Sequence, residues 1–318
     1  MNLGFEAEDR EHIFVPHAFV EQHVDLGEVR MNYASAGDAE SPALLLIPGQ
    51  SESWWGYEQV MPLLAAHFQV FAVDLRGQGR STWTPGRYTI DNMGNDLVRF
   101  IDIVIRRPVI VSGLSSGGVL SAWLSAYAKP GQILAAVYED PPLFASELVP
   151  AIGHSVRKQG AGPIFALWHK WLGDQWSIGD WAGMRSAAST ELPARLAGRE
   201  WPIDPPQNLR EYDPEWGRAT SSGTLMMGCD HASMLSAVRV PVLLTHHFFN
   251  VVESTGHVQG ALSDLQAAQV GKLVTDAGQQ FEYLRFPEMD HSMHAQDPAL
   301  FARTLIDWTS SLAGSAQG

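Results

Sequence analysis

Gly113-Leu114-Ser115-Ser116-Gly117 is the stretch that decides the fold of this chain. An apolar run, Pro108–Val111, precedes it and a helical pattern from Val119 to Tyr127 follows it, so the serine lies on a sharp turn between a strand and a helix. The flanking glycines are needed because a Cβ at either position would crowd the neighbouring strand or helix. The helix that follows offers free N–H groups to an oxyanion. We therefore predict that Ser115 is a nucleophile, and not a serine that only caps the helix.

The composition is that of an ordinary globular chain with an acidic balance. The chain has 318 residues, 45% of them hydrophobic, and its 21 Lys and Arg against 35 Asp and Glu give a formal net charge of −14. This balance argues against nucleic acid and anionic membranes as partners, since both select clustered Lys and Arg. The single cysteine, Cys229, excludes an intrachain disulfide. A polar N-terminus and the lack of long apolar runs predict a cytoplasmic protein without a leader or a membrane span.

Continuous apolar runs separated by helical patterns predict the fold class. Runs of this length without polar alternation are typical of strands buried on both faces of a parallel sheet. They occur at 43–47, 69–73, 108–111, 134–138 and 240–245, with two alternating segments inside 18–35 and a last run at 281–286. Helical periodicity between the runs, clearest over 91–105, completes a βα alternation. The pattern predicts an α/β fold with an eight-stranded, mostly parallel, doubly wound sheet.

The alternation stops between residues 141 and 230. This stretch has four Trp-rich helical segments and no convincing strand. Six of the eleven tryptophans lie in it, namely Trp168, Trp171, Trp176, Trp181, Trp201 and Trp216. We therefore expect a core made of residues 1–140 and 231–318, with an inserted helical cap at 141–230 that forms a lid over an apolar cavity.

His291 is the predicted general base. It follows the last predicted strand, and a loop leaving that strand returns over the serine turn. A serine nucleophile needs such an imidazole, and the imidazole needs an orienting carboxylate. His294 is the nearest rival, and we expect it to have a hydrogen-bonding role in the pocket. A metal site at His291 with His294, or at His246-His247, lacks a supporting carboxylate cluster, so no metal or other cofactor is expected.

Three carboxylates are candidates for the orienting acid. The loop after the run 240–245 is its usual place, but this chain has no carboxylate there until Glu253. Asp140 ends the preceding strand and is favoured, because the two prolines after it hold the chain out of the sheet. Glu139 is the second candidate, and Asp264, whose position suits a helix N-cap, is the third.

The oxyanion needs two backbone donors. The N–H of Ser116, the residue after the nucleophile, is the first candidate. The second is the N–H of Gln50, in the turn after the run 43–47, where Gly49 lets the backbone bend. We expect the substrate to contact Gly49 and, further along the chain, Pro142, Trp181 and His294.

These motifs together resemble a known superfamily. Leu44-Leu45-Leu46-Ile47-Pro48-Gly49, the segment Asp74-Leu75-Arg76-Gly77-Gln78-Gly79-Arg80-Ser81, the serine turn and the terminal histidine loop are similar to those of α/β-hydrolases with a helical cap. The superfamily usually has His-Gly where this chain has Pro48-Gly49. The resemblance implies a structural role, and not a catalytic one, for the turn that carries Asp74 and Arg76.

Three further segments resemble bacterial zearalenone lactonases. They are Ala145-Ser146-Glu147-Leu148-Val149-Pro150, the stretch from Leu172 to Trp181, and Glu211-Tyr212-Asp213-Pro214-Glu215-Trp216-Gly217-Arg218. These enzymes hydrolyse the macrocyclic ester of a resorcylic-acid mycotoxin. The resemblance implies that substrate class, and it implies Asp140 as the catalytic acid.

We therefore predict a cofactor-free serine hydrolase that opens a large neutral lactone with Ser115, His291 and Asp140. Other chemistry on the same residues is the first alternative: ester hydrolysis, C–C bond hydrolysis, acyl transfer or perhydrolysis. Epoxide hydrolase and dehalogenase chemistry is disfavoured, since the proteins that perform it have an aspartate where this chain has Ser115. A ligand-binding protein on a hydrolase fold is the alternative from another class.

The segment 246–260 is longer than the acid loop it replaces. Its apolar residues lie on both sides of Ser254-Thr255-Gly256, which predicts a β-hairpin projecting from the body. Exposed Phe248 and Val251 would suit a subunit contact in a homo-oligomer. A folded-back surface loop is the alternative.

Overall fold

A computed structural model describes residues 11–315 except 174, 176–177, 194–195, 197 and 255–256. Its main sheet has eight strands, and the predicted eight-stranded α/β sheet is confirmed. The strands are β1 (Glu21–Asp25), β2 (Arg30–Ala36), β3 (Ala43–Ile47), β4 (Gln69–Val73), β5 (Val109–Leu114), β6 (Ile133–Glu139), β7 (Val242–His246) and β10 (Phe281–Arg285). Two short strands, β8 (Asn250–Val252) and β9 (His257–Gln259), pair separately as an antiparallel hairpin.

The sheet order is β1-β2-β4-β3-β5-β6-β7-β10. Strand β2 runs antiparallel to both of its neighbours, β1 and β4, and the remaining pairs are parallel. Because the carboxyl ends of parallel strands meet at one edge of a sheet, the residues that follow β3, β5, β6, β7 and β10 are brought together.

Helices connect the strands and cover both faces of the sheet. In chain order they are α1 (Met61–Leu64), α2 (Ile90–Phe100), α3 (Ser116–Tyr127), α4 (Val156–Gln159), α5 (Gly162–Leu172), α6 (Trp181–Glu191), α7 (Gln207–Arg210), α8 (Glu215–Ser222), α9 (His231–Ser236), α10 (Asp264–Asp276), α11 (Met293–Gln296) and α12 (Pro298–Ser315). The helix predicted over 91–105 ends as an α-helix at Phe100 and continues as one π-type turn to Ile105. No helix in the described part of the chain is both long and apolar enough to cross a membrane.

Two hydrophobic clusters pack on opposite faces of the sheet. In β3, Leu45 and Ile47 belong to one cluster, and Leu44 and Leu46 belong to the other. All four side chains are fully buried. This is the reason that the strand is continuously apolar, because neither face of it meets water.

The connection between β6 and β7 contains helices α4 to α9, and its described residues form no strand. We call residues 141–241 the insertion. Helix α5 packs against both α6 and α8. The division of the chain at residues 140 and 230 into core and cap stays a prediction.

The turn after β4 is a buried structural element. The Asp74 carboxylate accepts hydrogen bonds from Asn32 Nδ2 at 2.8 Å, from the Trp54 N–H at 2.7 Å and from the Arg80 N–H at 3.0 Å. The Arg76 guanidinium donates to both oxygens of Asp96 at 2.7 and 2.9 Å. These contacts fix loops to one another and satisfy charges that would otherwise be costly to bury.

Candidate active site

Ser115 lies at the turn between β5 and α3. Its backbone has φ 55° and ψ −119°, a strained conformation for a residue other than glycine. A Cβ on Gly113 would lie 2.1 Å from the Gly117 carbonyl oxygen, and one on Gly117 would lie 2.3 Å from the Ile47 carbonyl oxygen. Glycine is therefore required at both positions, and the turn packs tightly between α3 and β3 with Ser115 at its apex.

His291 and Asp140 form a hydrogen-bonded pair. Nδ1 of His291 lies 2.7 Å from Oδ2 of Asp140, and the backbone N–H of His247 donates to Oδ1 at 3.2 Å. Because an ionised carboxylate only accepts hydrogen bonds, Nδ1 carries the proton, and Nε2 of a neutral His291 is the basic nitrogen. The Asp140 side chain is buried, whereas that of His291 is 48% exposed.

The other two candidate carboxylates have different partners. Glu139 pairs with His294, at 2.9 Å. Asp264 is 57% exposed, and its Oδ1 lies 3.9 Å from Nδ1 of His246. Asp140 is therefore the one of the three that meets the predicted base.

Each member of the pair shifts the pKa of the other. Burial favours a neutral imidazole, but the hydrogen bond and the charge of Asp140 outweigh it and raise the pKa of His291 above 6.5. Burial also favours a neutral carboxyl, but the hydrogen bond and charge of His291 outweigh it and hold the pKa of Asp140 below 3.8. A charged Asp140 can thus stabilise the imidazolium that forms when His291 accepts a proton.

A second carboxylate–imidazole pair lies deeper in the protein. Oε1 of Glu139 accepts from the backbone N–H of His294 at 3.1 Å, and Nδ1 of the ring lies 2.9 and 3.0 Å from the two carboxylate oxygens. Both side chains are buried, and the imidazole stacks on Tyr57 with centroids 4.1 Å apart. Burial opposes both charges, but their mutual attraction raises the pKa of His294 and lowers that of Glu139.

Ser115 and His291 line one cavity of about 550 Å³. Its wall combines the turn after β3 and the serine turn with residues of the insertion and of the β8–β9 hairpin. Most of its wall is apolar, including Leu114, Ile164, Phe165, Trp168, Leu225 and Val258. A concave apolar wall with a few convergent polar groups is typical of a small-molecule site. No hydrogen bond joins Ser115 to His291 within the described residues, and such bonds often form only when substrate is bound.

Two backbone N–H groups beside Ser115 donate no hydrogen bond to any described residue. They belong to Ser116 and Gln50, the two predicted oxyanion donors. Gln78 Nε2 donates to the Gly49 carbonyl at 3.2 Å, and because the C=O and N–H of a trans peptide point in opposite directions, this bond fixes the Gln50 N–H away from Gln78. A Cβ on Gly49 would lie 3.3 Å from the Ser115 Cβ, so this turn passes directly against the nucleophile.

The side chain of Gln50 joins the oxyanion turn to the insertion. Its amide nitrogen donates to the Tyr212 hydroxyl at 2.7 Å, and its amide oxygen accepts from the Thr220 hydroxyl at 2.7 Å. Asn208 Nδ2 also donates to the Ser51 carbonyl, at 2.8 Å. Residues of the insertion therefore help to hold the turn in place.

The structure separates the four predicted substrate contacts into two groups. Gly49 and Pro142 line the cavity, whereas Trp181 and His294 do not. The Trp181 side chain is buried, and its indole N–H donates to the Pro202 carbonyl at 3.2 Å. Neither Trp181 nor His294 therefore reaches the cavity in this structure: the first packs in the interior of the insertion, and the ring of the second is hydrogen-bonded to Glu139. Trp168 lines the cavity instead, and tryptophan composition alone carries no signal that distinguishes it.

The predicted hairpin forms, and its second strand faces the cavity. Val258 and Gln259 line the wall together with Phe248, which is 44% exposed. Val251, on the first strand, is 45% exposed. Thr255 and Gly256 of the predicted turn lie outside the described residues. A subunit contact through this hairpin stays a prediction.

Few charged side chains reach the cavity. Besides Asp140, they are Glu52, whose Oε1 accepts from the Ser292 hydroxyl at 3.0 Å, and Arg199, whose guanidinium lies 5.0 Å from the centroid of the Trp201 ring. Across the described residues, no group of three or more His, Cys, Asp or Glu side chains is placed to hold a metal ion.

Known proteins match this chain in sequence and in fold. A family model described as alpha/beta hydrolase fold matches residues 42–178. The 3-oxoadipate enol-lactonase 2 of Acinetobacter baylyi is 27% identical over 139 residues, which is 43% of this chain and 52% of that protein. The bifunctional epoxide hydrolase 2 of Sus scrofa is 31% identical over 121 residues, 37% of this chain and 21% of that protein. The matched segments thus span about half of the first relative and about a fifth of the second.

Solved structures share the fold over most of the chain. The enol-lactonase from Burkholderia xenovorans superposes with a TM-score of 0.62 at 17% identity, covering 91% of this chain and 100% of that one. Similarity at this identity shows the fold alone. The sheet order and the serine turn are those of the α/β-hydrolase fold, and over residues 42–178 the family model supports the α/β-hydrolase superfamily.

Proposed function

We propose that this protein is a serine hydrolase that opens the ester bond of a large, neutral aromatic lactone. The observation that carries the proposal is the 2.7 Å contact between His291 Nδ1 and Asp140 Oδ2, with the imidazole exposed to the same cavity as Ser115. Nucleophile, base and orienting acid are thus presented to one apolar space.

Acylation begins when Ser115 Oγ attacks the ester carbonyl carbon. Nε2 of His291 accepts the hydroxyl proton, and Asp140 stabilises the imidazolium through the Nδ1–H bond. The carbonyl oxygen becomes an oxyanion, which the N–H groups of Ser116 and Gln50 stabilise. Collapse of this intermediate breaks the ring C–O bond, and His291 returns the proton to the leaving alkoxide.

Deacylation uses water and the same groups. His291 accepts a proton from the water as it attacks the acyl-enzyme, and then returns it to Ser115 Oγ. The net reaction adds one water and yields a hydroxy acid. If the substrate is zearalenone, the product is a resorcylic acid, and we predict that it decarboxylates afterwards without a cofactor.

The shape and lining of the cavity support the size and polarity of this substrate. A volume of about 550 Å³ lies within the range of sites that enclose drug-sized ligands. Phe165 and Trp168 offer aromatic surface for a flat ring. The assignment to zearalenone rests on the three segments that resemble zearalenone lactonases.

A smaller lactone that carries a carboxylate is the second candidate substrate. Arg199 favours it, because it is the one Lys or Arg among the described residues of the cavity wall. The name of the Acinetobacter baylyi relative points to the same class. The mostly apolar wall favours the neutral lactone.

An ester panel tests the proposal. Wild-type protein and Ser115→Ala are incubated with zearalenone, with a small carboxylated enol-lactone and with simple aryl esters, and consumption is followed by LC–MS. We expect zearalenone to disappear with wild type only. Turnover of the carboxylated lactone alone would contradict the substrate class, and no wild-type consumption of zearalenone would reject that substrate.

A fluorophosphonate probe separates an enzyme from a ligand-binding protein on the same fold. The probe reacts with an activated serine, so we expect it to label wild type and not Ser115→Ala. An intact, folded protein that is never labelled would contradict the serine hydrolase assignment itself.

A further inference from the structure

His247 connects the two partners of the proposed catalytic pair. It is the first residue after β7, where no carboxylate occurs until Glu253. Its backbone N–H donates to Asp140 Oδ1 at 3.2 Å. Its ring nitrogen Nδ1 lies 3.0 Å from the carbonyl oxygen of Asp290 and 3.0 Å from that of His291. One residue thus contacts the acid and the backbone of the base.

The partners of His247 fix its tautomer. Carbonyl oxygens only accept hydrogen bonds, so Nδ1 carries a proton and donates it between the Asp290 and His291 carbonyls. Nε2 lies 3.0 Å from the Thr245 hydroxyl, which can donate to it. With both nitrogens satisfied and the side chain fully buried, the ring has one well-determined orientation.

Other bonds hold the same loop without the His247 side chain. The Phe248 N–H donates to the Met289 carbonyl at 2.9 Å, and the Phe286 N–H donates to the His246 carbonyl at 2.9 Å. The loop therefore stays attached to β7 when the imidazole is removed. The imidazole adds hydrogen bonds to two backbone carbonyls, that of Asp290 and that of the base His291 itself.

We propose that His247 is a positioning residue that holds the His291 ring against Asp140. Its imidazole bonds to the backbone of His291, and its backbone N–H bonds to the carboxylate of Asp140. This inference rests on the proposed function, because it assumes that His291 is the base. The residue after β7 would then orient the base, whereas the acid comes from the end of β6.

Leucine and asparagine at position 247 test the role. His247→Leu removes the donor and leaves two carbonyls without it. His247→Asn keeps a donor, because Nδ2 of asparagine is as many bonds from Cβ as Nδ1 of histidine. His246→Leu is the matched control: His246 is also fully buried, but its nitrogens contact the Tyr283 hydroxyl at 2.7 Å and the Leu262 carbonyl at 3.2 Å.

The readouts are kcat and KM on an aryl ester and the pH profile of kcat/KM. We expect His247→Leu to lower kcat about 10- to 100-fold with little change in KM, since displacing a catalytic group by about 1 Å can cost about 100-fold. Its acid limb should move to lower pH, because a weaker contact with Asp140 lowers the pKa of His291. Glu52 and Glu139 also act on the charge of His291 and are unchanged in every variant.

His247→Asn should recover most of kcat and the position of the acid limb, and His246→Leu should keep both even where it lowers the melting temperature. If His247→Leu does not fold, His247→Ala, which also lacks a side-chain donor, replaces it in the same comparison. Equal kcat and an unmoved acid limb in the 247 and 246 variants would overturn the proposal. Ser115→Ala, assayed in parallel, reports on the function: if it keeps turning over the ester, the serine mechanism fails and not only the role of His247.

Discussion

Two carboxylate–imidazole pairs sit side by side in this molecule and differ in one respect. Asp140 and Glu139 are consecutive, and their partners His291 and His294 are three residues apart in the segment after β10. Both pairs have short contacts, and in both the imidazole pKa is raised. The imidazole of the first pair is 48% exposed and borders the cavity, and that of the second is 1% exposed and stacks on Tyr57.

A hydrogen bond between a carboxylate and an imidazole therefore does not by itself identify a catalytic base. A carboxylate orients an imidazole equally well in a sealed interior and at a cavity wall. Only at the cavity wall can Nε2, the ring nitrogen that does not face the carboxylate, contact a substrate. The expectation is therefore that the cavity pair controls turnover and that the buried pair controls stability.

Asp140→Asn should have the largest effect on activity. The substitution removes the acceptor that holds the His291 tautomer and the charge that stabilises its imidazolium. The same change in a serine protease triad lowers kcat about 10⁴-fold, and we expect a similar loss here. Steady-state kinetics on an aryl ester measure it, with circular dichroism as the folding control. A decrease of less than tenfold would remove the distinction between the two pairs.

Glu139→Gln should act mainly on folding. It leaves the buried His294 without its countercharge, which typically costs about 3 kcal/mol of unfolding free energy. Urea unfolding measures this loss, and the folded fraction should retain far more turnover than Asp140→Asn. A loss of kcat as large as that of Asp140→Asn would show that the buried pair takes part in the chemistry.

The two pairs should also differ in their pH dependence. His294 has a raised pKa, so its contribution to stability is complete below pH 6.5 and is lost as the pH rises through the higher folded value. Glu139 has a lowered pKa, so its contribution is present above pH 4.5 and is lost as the pH falls through the lower folded value. The stability difference between wild type and Glu139→Gln should thus be greatest between these limits, in urea titrations at several pH values.

For the cavity pair, we expect the pH dependence to appear in activity and not in stability. His291 must be neutral to accept a proton, so kcat/KM should rise with pH through a midpoint above 6.5. A midpoint below 6.5 in wild type would contradict the effect of Asp140 on His291.

Tyr57→Phe should have the smallest effect, because it keeps the ring contact with the buried pair. The ring that stacks on His294 is kept, and the hydroxyl that donates to the Ile47 carbonyl at 2.9 Å is lost. Loss of one buried hydrogen bond costs about 1 kcal/mol, with kcat unchanged. Thermal unfolding and ester kinetics on the same preparation check both statements.

Most of the fold follows from local pattern. Strand β3 is apolar at every position because both of its faces are covered, and Gly113 and Gly117 are glycines because carbonyl groups occupy the space of a side chain. These constraints involve residues near in sequence or one layer of packing. They can therefore be recognised without knowledge of the three-dimensional structure.

The site is predictable where chain order controls it and not where side-chain orientation does. Asp140 and His291 follow strands whose ends must meet, and the structure brings them together. His294 is three residues further on, in the short helix α11, and the orientation of that helix decides whether its side chain faces the cavity or the interior. Trp181 presents the same difficulty, because the packing of α6 decides whether its indole is buried or lines the cavity. Neither side chain reaches the cavity, and the sequence could not show this because burial of one side chain depends on every neighbour.

The acid at the end of β6 has a consequence for how substrate range can change. With the carboxylate supplied by Asp140, the connection from β7 to α10 contributes no group to the proposed chemistry beyond His247. The hairpin in this connection is nevertheless part of the cavity wall, through Val258 and Gln259. We expect its length and sequence to tolerate insertion and replacement while the proposed reaction is preserved, which makes the hairpin the natural place to change which substrates fit the cavity.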